Sequence, residues 1–164
     1  MKVTIINTGG TFNKRYDPIK GQLEVPNDNI ALDKILASCF NVDYEVINIV
    51  SKDSLDMTDV DRELITNAVK NSKNENIIII HGTDTVDLTS QFLKKQISDK
   101  KIVFTGAMVP MSIDEVEATM NFSQSLGFLS ANIENGIYLA MHGVVVDASK
   151  LVKNRAEGKF LIEE

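Results

Sequence analysis

Runs of β-branched residues alternate along the chain with stretches whose apolar positions recur every three or four residues. Val3 to Ile6, Tyr44 to Val50, Ile77 to Ile80, Lys101 to Thr105 and Gly136 to Met141 read as strands, with Val144 to Val146 as a short further one. The run from Ile77 to Ile80 is unbroken, as expected of a central strand covered on both faces. Between the strands, Leu32, Ile35, Leu36 and Cys39 fall at i, i+3, i+4 and i+7, with Asn27, Asp28 and Asn29 as candidate N-caps. Val60, Leu64, Ile65, Ala68 and Val69 mark one face of a second helix, capped by Thr58 or Asp59. Leu88, Phe92 and Leu93 form the apolar side of a third, and residues 115–130 read as a fourth. Repeated strand, polar loop and helix imply right-handed crossovers. The predicted fold class is α/β: an open, mainly parallel sheet with helices on both faces, flavodoxin-like and three-layered.

In such a sheet, ligands bind at the C-terminal ends of the strands. Each early strand here runs into a polar loop: Thr8-Gly9-Gly10-Thr11 after the first, Ser51 to Thr58 after the second, His81-Gly82-Thr83-Asp84-Thr85 after the third. Gly9-Gly10 allows a sharp turn that presents hydroxyl and N–H groups. Thr11, the Ser54 to Asp56 segment and Thr83-Asp84 should therefore converge on one edge. Asn13 to Pro26, which carries Tyr16, has no apolar period, and a connection of that length suggests a lid over Thr11.

The 164 residues fit a single domain spanning 1–164 with enough chain for a substantial core. The net charge of −6 comes without a basic stripe, which argues against nucleic acid or an anionic membrane as partner and favours a small polar ligand. Cys39 is the only cysteine, so no intrachain disulfide forms, and its place on the apolar stripe assigns it to the core. Residues 1–12 lack the features of a secretory signal and no apolar run is long enough to span a bilayer, so the expected location is cytoplasmic, without membrane association.

Several chemistries are disfavoured by motif. Neither a P-loop nor a dinucleotide fingerprint follows the first strand. The two histidines, His81 and His142, lack helical ligand spacing and no cysteine cluster exists, so no metal is expected and both histidines read as structural. No Gly-x-Ser-x-Gly elbow supports Ser-His-Asp hydrolysis. A hydroxyl nucleophile without histidine needs another base, such as a lysine.

Thr8-Gly9-Gly10-Thr11, His81-Gly82-Thr83-Asp84-Thr85 and Thr105-Gly106-Ala107-Met108-Val109-Pro110, in that order after successive strands, resemble the bacterial type I and type II L-asparaginase/glutaminase family. The resemblance covers nearly the whole chain. It implies Thr11 as nucleophile, a Thr83-Asp84-Lys153 triad, and Ser54 as ligand of the substrate's α-carboxylate. Lys153 enters through Val146-Asp147-Ala148-Ser149-Lys150-Leu151-Val152-Lys153, which resembles the family's lysine-bearing stretch, with Lys150 as a nearby decoy. Asp84 would bind the substrate ammonium, and N–H groups near Gly10 or Thr83 would face the oxyanion. Tyr16 lies in the loop that supplies the family's tyrosine, closer to Thr11 than usual.

The implied reaction is hydrolysis of L-asparagine to L-aspartate and ammonia through a threonine acyl-enzyme, with no cofactor. Leu55 departs from the polar residue usual at its position. The family's C-terminal domain, which closes the site from a neighbouring subunit, is expected to be absent, so a homo-oligomer (dimer or tetramer) is expected to bury the site instead. Two other readings stay open: a glutaminase-type amidohydrolase, and an asparagine- or aspartate-binding module with little turnover.

Overall fold

The computed structural model describes residues 1–163. Its ten strands are β1 (Lys2–Gly9), β2 (Arg15–Asp17), β3 (Gln22–Glu24), β4 (Asp43–Lys52), β5 (Asn76–Ile80), β6 (Lys101–Thr105), β7 (Gly136–Met141), β8 (Val144–Asp147), β9 (Leu151–Asn154) and β10 (Lys159–Ile162). The helices are α1 (Ile30–Leu36), α2 (Asp59–Asn71), α3 (Val86–Lys94) and α4 (Glu115–Ser130). The main sheet runs β4-β1-β5-β6-β7-β8. Its first five strands are mutually parallel, and β8 returns antiparallel against β7. The α/β class is thus observed.

Side-chain alternation on β5 divides the core. Ile77 and Ile79 face a cluster with Ile65 and Val69 of α2 and Leu93 of α3. Ile78 and Ile80 face the other, with Leu32 and Ile35 of α1 and Ala118 and Phe122 of α4. All four isoleucines are fully buried, each worth about 1.5–3 kcal/mol, which explains why this strand lies inside the sheet rather than at an edge.

Four expectations need correction. First, α1 ends at Leu36, before Cys39, which is only half-buried; its thiol donates to Ile35 O at 3.4 Å and burial raises its pKa. Asn29 occupies the N-cap position but makes no capping bond, because its Oδ1 accepts from Asn7 Nδ2 at 2.9 Å; Asp28 Oδ1 takes the Ile30 N–H. Second, α2 starts at a capping box between Thr58 and Asp61, and its buried face is Asp61, Arg62, Ile65, Thr66 and Val69. Val60 and Leu64 are exposed. The Asp61 carboxylate, bonded to Thr58 and to Lys52 Nζ at 2.8 Å, turns that side of the helix inward.

Third, Leu88 of α3 faces solvent while Val86 and Leu93 are buried. Fourth, residues 13–26 are not an irregular loop: β2 and β3 pair antiparallel, with Tyr16 opposite Leu23. No helix is long and apolar enough to cross a membrane among the described residues.

Candidate active site

β1 ends in a turn that only glycine accommodates. Gly9 and Gly10 have φ of 104° and 73°, and a Cβ on Gly10 would lie 2.5 Å from both Cα and N of Gly82. The backbones of the Thr-Gly-Gly-Thr and His-Gly-Thr-Asp-Thr loops therefore touch, one residue before Thr11 and one before Thr83. On its other side, Gly82 packs against Ser54, where a Cβ would approach Ser54 Oγ to 2.6 Å. Three loops meet at this one glycine.

Two buried asparagines that sequence reasoning did not single out hold the turn. Asn13 Nδ2 donates to Asn7 Oδ1 and to Gly9 O, both at 2.8 Å, and Asn7 Nδ2 donates to Asn13 Oδ1 at 3.1 Å. A polar Asn7 inside an apolar strand, six residues before a second Asn, was the available signal. The neighbouring β4 reaches its loop through Val50 and Ser51 at φ of 69° and 52°, strained for a β-branched residue. That distortion accompanies a register shift that brings Lys52 opposite Gly9, and Gly10 N–H donates to Lys52 O at 2.9 Å.

Ser54 is buried, as the first residue of a turn capped by Asp53. Its Oγ accepts from Asp84 N–H at 3.2 Å and its carbonyl accepts from Thr85 Oγ1 at 2.8 Å, so the second and third loops are bonded directly. Leu55 is exposed. Thr11 opens a short 3-10 turn ending at Asn13, and among the described residues its hydroxyl has no hydrogen-bond partner.

Lys153 lies on β9, which pairs with β10 as a hairpin outside the main sheet and places Lys153 opposite Phe160. Its side chain is 15% exposed, and Nζ donates to Thr83 Oγ1 at 2.8 Å and to Asp84 Oδ1 at 2.9 Å. Lys150, by contrast, is exposed. Arg155, in the β9–β10 turn, was not anticipated: its Nη1 also pairs with Asp84 Oδ1, and its Nη2 donates to Asp84 O at 3.1 Å. Burial raises the Asp84 pKa, but the Lys153 and Arg155 cations outweigh it and hold the carboxyl below its usual range.

Asp53, on the loop beside Ser54, is treated similarly: burial raises it, Lys14 at 2.6 Å and the Leu55 N–H lower it further. A cavity of about 310 Å³ lies between α3 and the β9–β10 hairpin; Thr83, Asp84, Lys153 and Arg155 line it together with Asp87 and Glu163, whereas Thr11 and Ser54 do not. Tyr16 is 64% exposed on the β2–β3 hairpin, and among the described residues its hydroxyl bonds to none of these groups.

The histidines take no part in this cluster. His81 is fully buried with Nδ1 2.7 Å from Gly82 O, and burial drives its pKa down to about 4. His142 Nε2 lies 2.9 Å from Glu117 Oε1 while its Nδ1 accepts from Phe160 N–H at 3.2 Å. No group of three or more His, Cys, Asp or Glu side chains that could hold a metal is present among the described residues.

Thr11 thus follows a glycine turn whose backbone touches the loop of Thr83 and Asp84, and both of those residues are bonded by Lys153. Residues 2–159 match the family model "Asparaginase, N-terminal", and the chain belongs to that family. A glutamyl-tRNA(Gln) amidotransferase subunit from Methanococcus vannielii is 29% identical over 88% of the chain and 35% of that protein. L-asparaginase 2 of Escherichia coli is 28% identical over 92% of the chain and 46% of that protein. The structure of the thermostable L-asparaginase from Thermococcus kodakarensis superposes with a TM-score of 0.86 at 25% identity, over 99% of the chain and 51% of that protein. The chain thus spans between a third and a half of the length of these relatives.

Proposed function

We propose that the chain is an L-asparaginase-type amidohydrolase acting through a Thr11 acyl-enzyme. The observation that carries this is the pair of bonds from Lys153 Nζ to Thr83 Oγ1 and Asp84 Oδ1, which unite residues about seventy positions apart at one strand edge.

Thr11 Oγ attacks the side-chain amide carbon of asparagine. Its proton passes through the Thr83–Lys153 pair to the departing nitrogen, which leaves as ammonia. Water then cleaves the ester, returning the proton to Thr11 and releasing aspartate. Gly10 N–H already donates to Lys52 O, so it does not serve the oxyanion; the Thr83 N–H has no partner among the described residues and takes that role, in which one donor is worth about 3 kcal/mol. Asp84 uses Oδ1 for both cations, and Oδ2, with no partner among the described residues, receives the substrate's ammonium. Ser54 supports the α-carboxylate. No step calls for a cofactor.

Thr11→Ala removes the attacking oxygen and little volume. Ammonia release from L-asparagine should vanish while the folded state and aspartate binding persist; unchanged release excludes Thr11 as nucleophile. L-glutamine at matched concentration distinguishes the glutaminase reading, which the match to an amidotransferase keeps in view.

A further inference from the structure

Resting on the hydrolase reading above, we propose that His81 is a positioning residue: its buried imidazole holds the Gly82–Thr83 peptide so that Thr83 N–H stays directed at the oxyanion, without itself touching the substrate.

Lacking a Cβ, Gly82 gives that peptide a freedom of rotation that other residues do not, whereas an oxyanion donor must have one orientation. The His81 ring supplies the restraint. Its Nδ1 lies 2.7 Å from Gly82 O, and because a carbonyl only accepts, Nδ1 carries the proton and donates. The peptide is planar and trans, which sets its C=O and N–H on opposite sides. A carbonyl drawn toward the ring therefore turns Thr83 N–H away from it. That N–H has no partner among the described residues, and it belongs to the residue whose Oγ1 receives the Lys153 bond.

His81 is itself held from outside its loop. Its backbone N–H donates to Thr105 O of β6 at 2.9 Å, Gly106 packs against its carbonyl with no room for a Cβ, and the imidazole lies edge-on to Phe104 with centroids 5.8 Å apart. Packing alone does not account for a histidine here. Nε2 is buried with no partner among the described residues, a cost that an apolar side chain of similar size would avoid. With burial driving its pKa down to about 4, the ring is neutral at pH 7 and has one such proton. That proton goes to Gly82 O.

Three variants separate positioning from packing. The amide of Asn reaches the place of Nδ1, the longer Gln reaches that of Nε2, and Leu has no donor. His81→Leu and His81→Gln should lower kcat for ammonia release from L-asparagine about tenfold, a fraction of what removal of a whole oxyanion donor costs. KM should stay unchanged, because the contact strengthens only in the transition state. His81→Asn should recover most of the lost turnover. A wild-type kcat in His81→Leu overturns the proposal, as does His81→Asn protein no more active than His81→Leu. Nitrogen NMR of the wild-type imidazoles tests the bond without any substitution, and a His81 ring protonated on Nε2 instead of Nδ1 overturns it too. Wild type that releases no ammonia from asparagine or glutamine sinks the hydrolase reading, and the Thr83 amide resonance then decides on His81. A resonance that moves in His81→Leu and returns toward wild type in His81→Asn supports the positioning; one that His81→Leu leaves in place refutes it.

Discussion

Gly10→Ala probes the contact on which the whole site depends, because a Cβ there would stand 2.5 Å from the Gly82 Cα and backbone N. Backbone cannot swing aside as a long side chain can, so the two loops must separate by about 1 Å to regain ordinary contact. The residue's φ of 73° adds the left-handed penalty of an L-residue, about 1–2 kcal/mol. Forced overpacking contributes about 1–3 kcal/mol more, for a total of about 2–5 kcal/mol. Gly21→Ala is the control: φ is 70°, yet nothing lies within 4 Å of its Cβ, so it has the conformational part alone. Both substitutions reduce unfolded-chain entropy equally, and that effect cancels in the difference. Urea unfolding should place Gly10→Ala about 1–3 kcal/mol below Gly21→Ala, which is a midpoint difference of about 0.5–1.5 M for a slope of about 2 kcal/mol/M. Ammonia release should fall about a hundredfold in Gly10→Ala, since a displacement of about 1 Å disrupts alignment of a nucleophile. Equal midpoints, together with retained activity, refute the idea that touching backbones set the Thr11-to-Thr83 geometry.

Lys153→Met keeps the stem packed but removes the proton carrier, and it should abolish ammonia release, whereas Lys150→Met should leave it near wild type; equal effects would return Lys153 to a structural role. His81 bears on stability through pH. Its folded pKa of about 4 lies below the ordinary 6.5, so the unfolded chain binds the extra proton first as pH falls. The neutral imidazole's contribution is complete above pH 6.5 and is lost progressively toward pH 4, about 3 kcal/mol in all, and urea unfolding at pH 7 and pH 4.5 should show this slope flattened in His81→Asn. His142→Ala removes the acceptor of the Phe160 N–H, and amide exchange at Phe160 should accelerate more than exchange at Ile78 in the central strand; equal acceleration would mean that the hairpin unfolds only with the whole domain.

The main-sheet strands, their mainly parallel pairing and the meeting of three loops were legible because each rests on local pattern: β-branched runs, helical period and glycine turns. Helix rotation was less so. On α2 the stripe Val60–Leu64 and the stripe Ile65–Val69 both satisfy the helical period, and the choice between them comes from Asp61 reaching Thr58 and Lys52, a tertiary fact. The β2–β3 hairpin was obscured because its strands are three residues long and mostly polar. Arg155 could not be distinguished from an ordinary solvated charge, since its role depends on a turn between two short strands folding back onto Asp84.

The site divides into two mechanical parts. Thr11, Ser54 and Thr83 stand on loops that meet at Gly10 and Gly82; β1 and β5, which lead to Thr11 and Thr83, lie inside the sheet, and the edge strand β4, which leads to Ser54, pairs along β1, so their relative positions follow from the fold itself. Lys153 does not. Its two-stranded hairpin would be marginal alone, and it is tied to the domain by buried Leu151 and Phe160, by the Phe160 bond to His142, and by the Asp84 ion pairs. His142 in turn shares Glu117 with the backbone N–H groups of Met108 and Val109, so the loop after β6 and the hairpin depend on one carboxylate. Both cations that the hairpin presents, Lys153 and Arg155, bond Asp84, so the contacts that set the charge at that carboxylate also fasten the hairpin, and with it the Lys153 bond to Thr83, to the domain. That double use accounts for the clustering of charged groups on an otherwise weakly anchored element, and it places Lys153, rather than Thr11, on the part of the site most easily displaced.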